Sequence, residues 1–271
     1  MIFGTDPSQA GQSRRSSRRG LLILVPLAAG IVVLFLLAQQ WKGTLKIQRV
    51  VVSGAHLVAE ADIASWAKVP LKSQLFGLNL GTIAANLLAQ PFMKSVSVYR
   101  QLPDAVHIHV EEREPLASLN NGQIFFVDRD AVLLPAIHPA AKLDVPLING
   151  IPGMEHVQAG ETASSNELFQ AIELLTRARE IDTALFRMIS EVNMNNGGDI
   201  ICYSVDGGLP IIVGRGEFGK KLVLLHSFWT TILTEQDPKK LKSIDLRFDD
   251  QVVVRWDKTT ERYPKQAPQH G

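Results

Sequence analysis

One stretch limits what this chain can become more than any other. Leu21 to Ala38 reads LLILVPLAAGIVVLFLLA, 18 residues with no charged or strongly polar side chain. A hydrophobic run of that length sits at the lower edge of what crosses the hydrocarbon core of a bilayer. Arg14, Arg15, Arg18 and Arg19 stand just before it. Cationic flanks stay on the cytoplasmic side, so this placement sends everything after Trp41 to the outer face. Pro26 is read as lying in the first turns of the span, where a membrane helix tolerates proline. Trp41 and Lys42 suit an interfacial anchor at the far end.

Two other readings compete. A cleaved signal peptide would need a shorter apolar core and a small-residue cleavage site. Ala28-Ala29-Gly30 could serve, but it leaves an apolar run behind it, and the LLAQQ end is a poor site. A core helix of a soluble protein would carry polar positions on its surface. The uncleaved anchor is therefore the expectation.

Removing the anchor leaves enough chain for one or two domains with their own cores. The net charge of +1 supplies no basic field for nucleic acid and no acidic field for cationic ligands. With one cysteine, Cys202 in ICYSV, no intrachain disulfide is possible, and the residue reads as a small buried hydrophobe. Residues 1–20 are rich in Ser, Gln, Gly and Arg and read as a disordered cytoplasmic tail.

Past the anchor the patterning changes. Ile47 to Ala55 alternates and is β-branched, a strand closed by Ser53-Gly54. Glu60 to Val69 places Ile63, Trp66 and Ala67 on one helical face, and Pro70 ends it. Thr82 to Ala89 is a second helix, with Ile83 and Leu87 on one face. SVSVYR and AVHIHVEER then alternate around Gln101-Leu102-Pro103-Asp104 as a hairpin. The order β-α-α-β-β predicts a three-stranded sheet with two helices on one face.

Val52-Ser53-Gly54, Gly77-Leu78-Asn79-Leu80 and the run from Pro91 to Ala117 resemble the polypeptide-transport-associated (POTRA) domain of the FtsQ/DivIB cell-division family. The most specific part is R-x-x-P-x-x-x-x-I-x-V-x-E-R-x-P-x-A, Arg100 to Ala117. The resemblance implies an α+β chain: a single transmembrane helix, a β-α-α-β-β POTRA domain, and a C-terminal mainly antiparallel β domain with flanking helices. The corresponding ranges are a tail over 1–20, the helix over 21–40, POTRA over 45–114, the β domain over 115–257 and a disordered tail over 258–271.

Within that last domain, Asp128-Arg129-Asp130 forms a turn between apolar runs. It resembles the family's L-V-D-x-x-G-x-x-F hairpin, with Asp130 near the usual glycine. Val145 to Gly153 resembles its L-P-L-L-x-G segment. Ser164 and Glu167 suggest a capping box opening a helix with Leu168, Ile172 and Leu175 as its apolar stripe and Glu173–Arg177 as an i,i+4 pair. Ile189–Met194, Asp199–Val205 and Leu209–Val213 read as strands. Gly219–Leu233 reads as a helix with Leu222, Leu225, Trp229 and Ile232 inward. Ser243–Phe248 and Gln251–Trp256 read as two closing strands joined at Asp249-Asp250.

Three patterns could carry chemistry. Gly214 to Lys221, GRGEFGKK, satisfies G-x-G-x-x-G between a strand and a helix, as a phosphate loop does. Lys221, however, occupies the Ser/Thr position that would hold magnesium, and the preceding strands read as an antiparallel series rather than a βαβ unit. His107 and His109 share one strand face and could supply two metal ligands, but spacing offers no third. Glu111-Glu112 and Asp249-Asp250 are adjacent carboxylates that face opposite ways on extended chain. There is no G-x-S-x-G. The chain is thus expected to be non-catalytic, with no cofactor and no metal.

What remains is an edge. A terminal strand often leaves one row of N–H and C=O groups unpaired, and such a row accepts an added strand. The resemblance implies that the last strands receive a segment from FtsB/FtsL-like bitopic membrane proteins. Arg247 would be a charged fork, Phe248 and Trp256 aromatic anchors, and Val252 and Val254 part of the docking strand. A membrane-anchored POTRA module that chaperones exported chains, or an envelope enzyme using Gly214 to Lys221 with nucleotide or metal, are the alternatives.

Overall fold

The computed structural model describes residues 14–120, 123–136, 143–154, 157–235 and 240–257. Both expected tails therefore fall wholly or largely outside the described residues, as do the side chains of Arg14, Arg15, Arg18, Arg19 and Ile232. Helix α1 (Arg14–Thr44) starts earlier than the apolar run, so the backbone of the arginine cluster is helical rather than part of a disordered tail. Pro26 consequently lies in the helix interior instead of the first turns. From Leu24 to Thr44 the helix is 21 residues long with a mean hydropathy of 1.9, and none of it is buried.

Internal packing divides the chain into two units, residues up to Leu87 with Val96–Val110, and Leu88–Ser95 with Glu111 onward. The first contains β1 (Arg49–Ser53), α2 (Glu60–Ala67), α3 (Leu80–Leu88) and most of the hairpin β2 (Met93–Gln101) and β3 (Ala105–Glu112). The strand order is β1-β3-β2, with β1 parallel to β3. Val106, Ile108 and Val110 are buried on one face of β3, and Ile63, Ala67, Ile83 and Leu87 on the helices are buried as expected.

The motif residues of this unit have physical reasons. Gly54 has φ +84°, and a Cβ there would fall on the carbonyl oxygen of Val110. Only glycine admits that approach. Asn79 caps α3, its Oδ1 accepting from Gly81 N at 3.0 Å and Thr82 N at 3.3 Å. Arg100 is a staple. Its guanidinium donates to the carbonyls of Leu75 (2.8 Å) and Leu78 (2.7 Å), and it lies 5.7 Å from the Phe76 ring centroid.

The second unit is a nine-stranded sheet with helices packed on it. Its strands are β4 (Ala117–Asn120), β5 (Ile124–Val127), β6 (Leu133–Pro135), β7 (Leu147–Asn149), β8 (Ile189–Asn193), β9 (Ile201–Ser204), β10 (Pro210–Ile212), β11 (Leu241–Asp245) and β12 (Val253–Trp256). They run in the order β12-β11-β10-β9-β8-β7-β4-β5-β6. Five neighbouring pairs are antiparallel, and three are parallel: β4–β7, β7–β8 and β10–β11. Helices α4 (Asn166–Ile181), α5 (Thr183–Met188) and α6 (Phe218–Glu235) complete the unit. Leu168, Ile172, Leu175, Leu222 and Leu225 lie in one core with Ile148, Val192 and Cys202. Burial pushes the Cys202 thiol up to about 12, so it stays protonated and inert.

Three local expectations need correcting. The α4 cap is Ser165, whose side chain accepts from Leu168 N, one residue later than the proposed box at Ser164. Glu167 is thereby freed to pair with Arg215 at 2.7 Å. Arg177 pairs with Glu180 at 3.0 Å instead of Glu173. In the turn after β5, the left-handed residue is Ala131 (φ +59°) and not Asp130. That places an alanine on the position where the family pattern has glycine.

Asp128 organises that turn. Its Oδ1 accepts from Asp130 N and Val132 N, both at 2.9 Å, and its Oδ2 accepts from Arg113 Nη1 at 2.7 Å. Asp128 is only 4% exposed. Breaking such a nearly buried pair from one side strands a charge and costs about 3–5 kcal/mol. Asp128→Ala should therefore lower the urea unfolding free energy of the chain by about that amount, whereas Asp130→Ala, whose 3.3 Å contact to Arg113 is solvent-exposed, should cost under about 1 kcal/mol. Gly54→Ala should also destabilise strongly, through φ and the Val110 carbonyl together. Urea melts of the three variants check the order; equal costs for Asp128→Ala and Asp130→Ala would contradict it.

Candidate partner-binding edge

Among the described residues, strand β12 has one neighbour. It pairs antiparallel with β11, matching Val253 with Asp245, Val254 with Ile244 and Arg255 with Ser243. Asp257 N donates to Lys240 O at 2.7 Å, so the backbone groups of residue 257 face β11. Along an extended strand those groups alternate sides. Val253 and Arg255 therefore also turn their main chain toward β11, and Val254 and Trp256 turn theirs toward the open edge.

Side chains alternate in the perpendicular direction. Val252, Val254 and Trp256 are half-buried and pack against the hydrophobic core of the sheet. Val253 and Arg255 are exposed. Val252, Val254 and Trp256 thus share one face, and it is the inward one. They have their side chains in the core, while the main chains of Val254 and Trp256 lie on the free edge. The outward apolar surface comes from Phe248, 52% exposed, and Val253.

Arg247 is engaged within the chain. Nε and Nη2 grip Asp245 at 2.9 and 2.6 Å, and Nη1 reaches Asp199 at 2.9 Å. The guanidinium holds the Asp245 carboxyl below its ordinary range, and Asp245 together with Asp199 raises the arginine further. Arg247 thereby ties the end of β11 to Asp199, two residues before β9. Gly214 makes room for it: φ is +66°, and a Cβ there would lie 2.8 Å from Arg247 Cγ. Lys220 pairs with Asp250 at 2.8 Å in the β11–β12 connection, and Lys242 with Asp257 at 2.8 Å at the opposite end of the hairpin.

The other candidates find different uses. Strand β10, helix α6 and parallel strand β11 do form a βαβ unit, which corrects the antiparallel reading of that region. Within its glycine loop, however, Arg215 spreads over Gly198 O, Gln170 Oε1 and Glu167 Oε2 at 2.7–2.9 Å, and Lys221 Nζ donates to Arg215 O at 2.9 Å. Both cations face their own fold. His107 Nε2 and His109 Nδ1 lie 2.9 and 3.0 Å from the one Ser53 hydroxyl, and Tyr99 stacks on His107 at 4.7 Å. Among the described residues no group of three or more His, Cys, Asp or Glu side chains converges as a metal site. Glu111 accepts from Ser95 Oγ at 2.8 Å. The Asp245–Arg247–Asp199 brace was missed in the sequence. Only the acidic flanks of Arg247 in D-L-R-F-D-D hinted at it.

Comparison with known proteins agrees with this architecture. Residues 45–113 match the family described as POTRA domain, FtsQ-type, and residues 114–255 match the one described as FtsQ/DivIB, C-terminal related. Relatives named cell division protein FtsQ include those of Geobacter sp. strain M21, 28% identical over 211 residues (78% of this chain and 76% of the relative), and Rhodothermus marinus, 27% identical over 262 residues (92% and 94%). That of Geotalea daltonii is 25% identical over 210 residues, 78% and 75% of the two chains. With both globular regions matched and the N-terminal helix long and apolar enough to cross a membrane, this chain belongs to the FtsQ/DivIB family of cell-division proteins.

Proposed function

We propose that this protein is a non-catalytic scaffold of the bacterial division septum that receives a strand from a partner at β12. It is held in the cytoplasmic membrane by α1, with Arg14, Arg15, Arg18 and Arg19 on the cytoplasmic side and both globular units outside. The partners are bitopic division proteins of the FtsB/FtsL kind. The observation that carries the reading is the open edge: a strand with one neighbour, whose Val254 and Trp256 main-chain groups face outward. An incoming strand would satisfy those groups and set its own side chains beside Phe248, Val253 and Arg255.

The roles of the named residues follow. Val252, Val254 and Trp256 seat the edge strand on the core, so that it is presented as a rigid template. Phe248 is the exposed anchor. Arg247 positions the β11–β12 connection through Asp245 and Asp199, which is a support role rather than a direct fork to the partner.

Two outcomes test this. Val254→Pro removes an outward N–H and projects the ring into the edge, yet spares the bonds to β11, since edge strands accept proline with N–H facing solvent. It should weaken partner capture roughly fivefold or more while the chain stays folded, the lost main-chain hydrogen bond counting about 1 kcal/mol. Arg255→Pro, with its main chain turned to β11, should instead lower thermal stability. Arg247→Ala with Phe248→Ala should reduce co-purification of the partners. Capture at wild-type level by Val254→Pro and by the double variant would remove β12 as the docking edge.

A further inference from the structure

The end of the first unit that meets α1 is apolar, basic and tied to the helix without a linker. If Leu24–Thr44 crosses the bilayer, its 21 residues span about 31 Å, close to the hydrocarbon thickness. Thr44 then stands at the outer interface. The next residue, Leu45, already accepts a backbone hydrogen bond from Leu75 N at 2.9 Å, and Ile47 O accepts from Lys72 N at 2.7 Å. One peptide step is ~3.8 Å, so the Pro70–Gly77 loop has no room to stand away from the membrane. Lys42, inside the helix, places its Nζ 5.7 Å from the Phe76 ring centroid, which puts that ring at interfacial depth.

Three large apolar side chains face out at this end: Leu71 (56% exposed), Phe76 (40%) and, at the β2–β3 turn, Leu102 (53%). The turn belongs to the same end because Gln48 N donates to Asp104 O at 2.8 Å. Exposed cations surround them, namely Lys42, Lys46, Arg49 and Lys72, against the single half-buried Asp104, which Arg49 approaches at 3.3 Å. Arg100 locks the loop from behind through the Leu75 and Leu78 carbonyls. Lys72, at φ +67°, holds an uncommon backbone turn directly after Leu71.

We propose that this pole is a lipid-contact surface. Leu71, Phe76 and Leu102 enter the headgroup region of the outer leaflet, and Lys46 and Lys72 meet anionic headgroups. The POTRA unit thereby sits on the membrane in one orientation instead of swivelling on α1. Apolar side chains rimmed by lysine and arginine are the composition that binds at a bilayer interface. The inference rests on α1 being a span, and its test separates the two.

The full chain is reconstituted in vesicles of phosphatidylcholine and phosphatidylglycerol. Single labelled cysteines replace Leu71, Phe76, Leu102, Glu60 or Leu34, and nitroxide lipids quench from the headgroup or from deep in the acyl chain. Buried Cys202 stays unlabelled. Labels at positions 71, 76 and 102 should be quenched by headgroup nitroxide severalfold more than at 60, which follows the far end of β1. Position 34 should respond to the deep nitroxide. Positions 71, 76 and 102 at the level of position 60, with 34 quenched, would overturn the lipid contact and leave the span standing. No deep quenching at 34 would overturn both.

Discussion

Main-chain hydrogen bonding decides what each part of this protein can be. In a bilayer every N–H and C=O must find a partner within its own segment, and a helix is the one single-stretch answer. Helix α1 meets that demand within its own backbone except at Pro26, which has no N–H, and its sequence between Leu21 and Ala38 is apolar. The nine-stranded sheet meets the same demand by lateral pairing, but it is open and must end somewhere. At β12 it ends with a row of outward groups. The fold thus has one part whose backbone pairs almost wholly within itself and one part whose outermost strand, among the described residues, leaves main-chain groups on an edge.

Much else supports that edge. Val252, Val254 and Trp256 hold β12 down on the core, and β11 is inserted next to β10 by the α6 crossover. The Asp245–Arg247–Asp199 brace, with Gly214 cleared beneath it, then pins the connection that precedes β12. The glycine loop that imitates a phosphate-binding motif serves this arrangement: its first glycine admits Arg247, and its arginine and lysine tie the loop to α4 and to itself. This geometry concentrates support behind a backbone edge rather than around a cavity.

The elements were legible where periodicity is strong. Alternation in SVSVYR and AVHIHVEER located β2 and β3, and the 3.6-residue spacing of Leu168, Ile172 and Leu175 located the buried side of α4. Motif residues were legible too, although their reasons were not: Gly54 is required by a carbonyl from a strand more than fifty residues away, and Arg113 by the turn acid Asp128. The misreadings have two causes. The parallel pairs and the inward use of Arg247 depend on partners distant in sequence, which local pattern cannot supply, whereas the Ser165 cap and the left-handed Ala131 are choices between adjacent residues of similar propensity. The inward orientation of Val252, Val254 and Trp256 was readable as a shared face, but which face met the core was set by β11.

The most direct measurement is amide-resolved hydrogen exchange on β12 of the full chain, alone and with an FtsB-like partner. Val253 and Arg255 amides should be protected in both states, whereas Val254 and Trp256 amides should exchange rapidly alone and become protected in the complex. If Val254 and Trp256 were already protected in the free protein, or stayed fast when the partner was bound, the open edge would not be where this protein does its work.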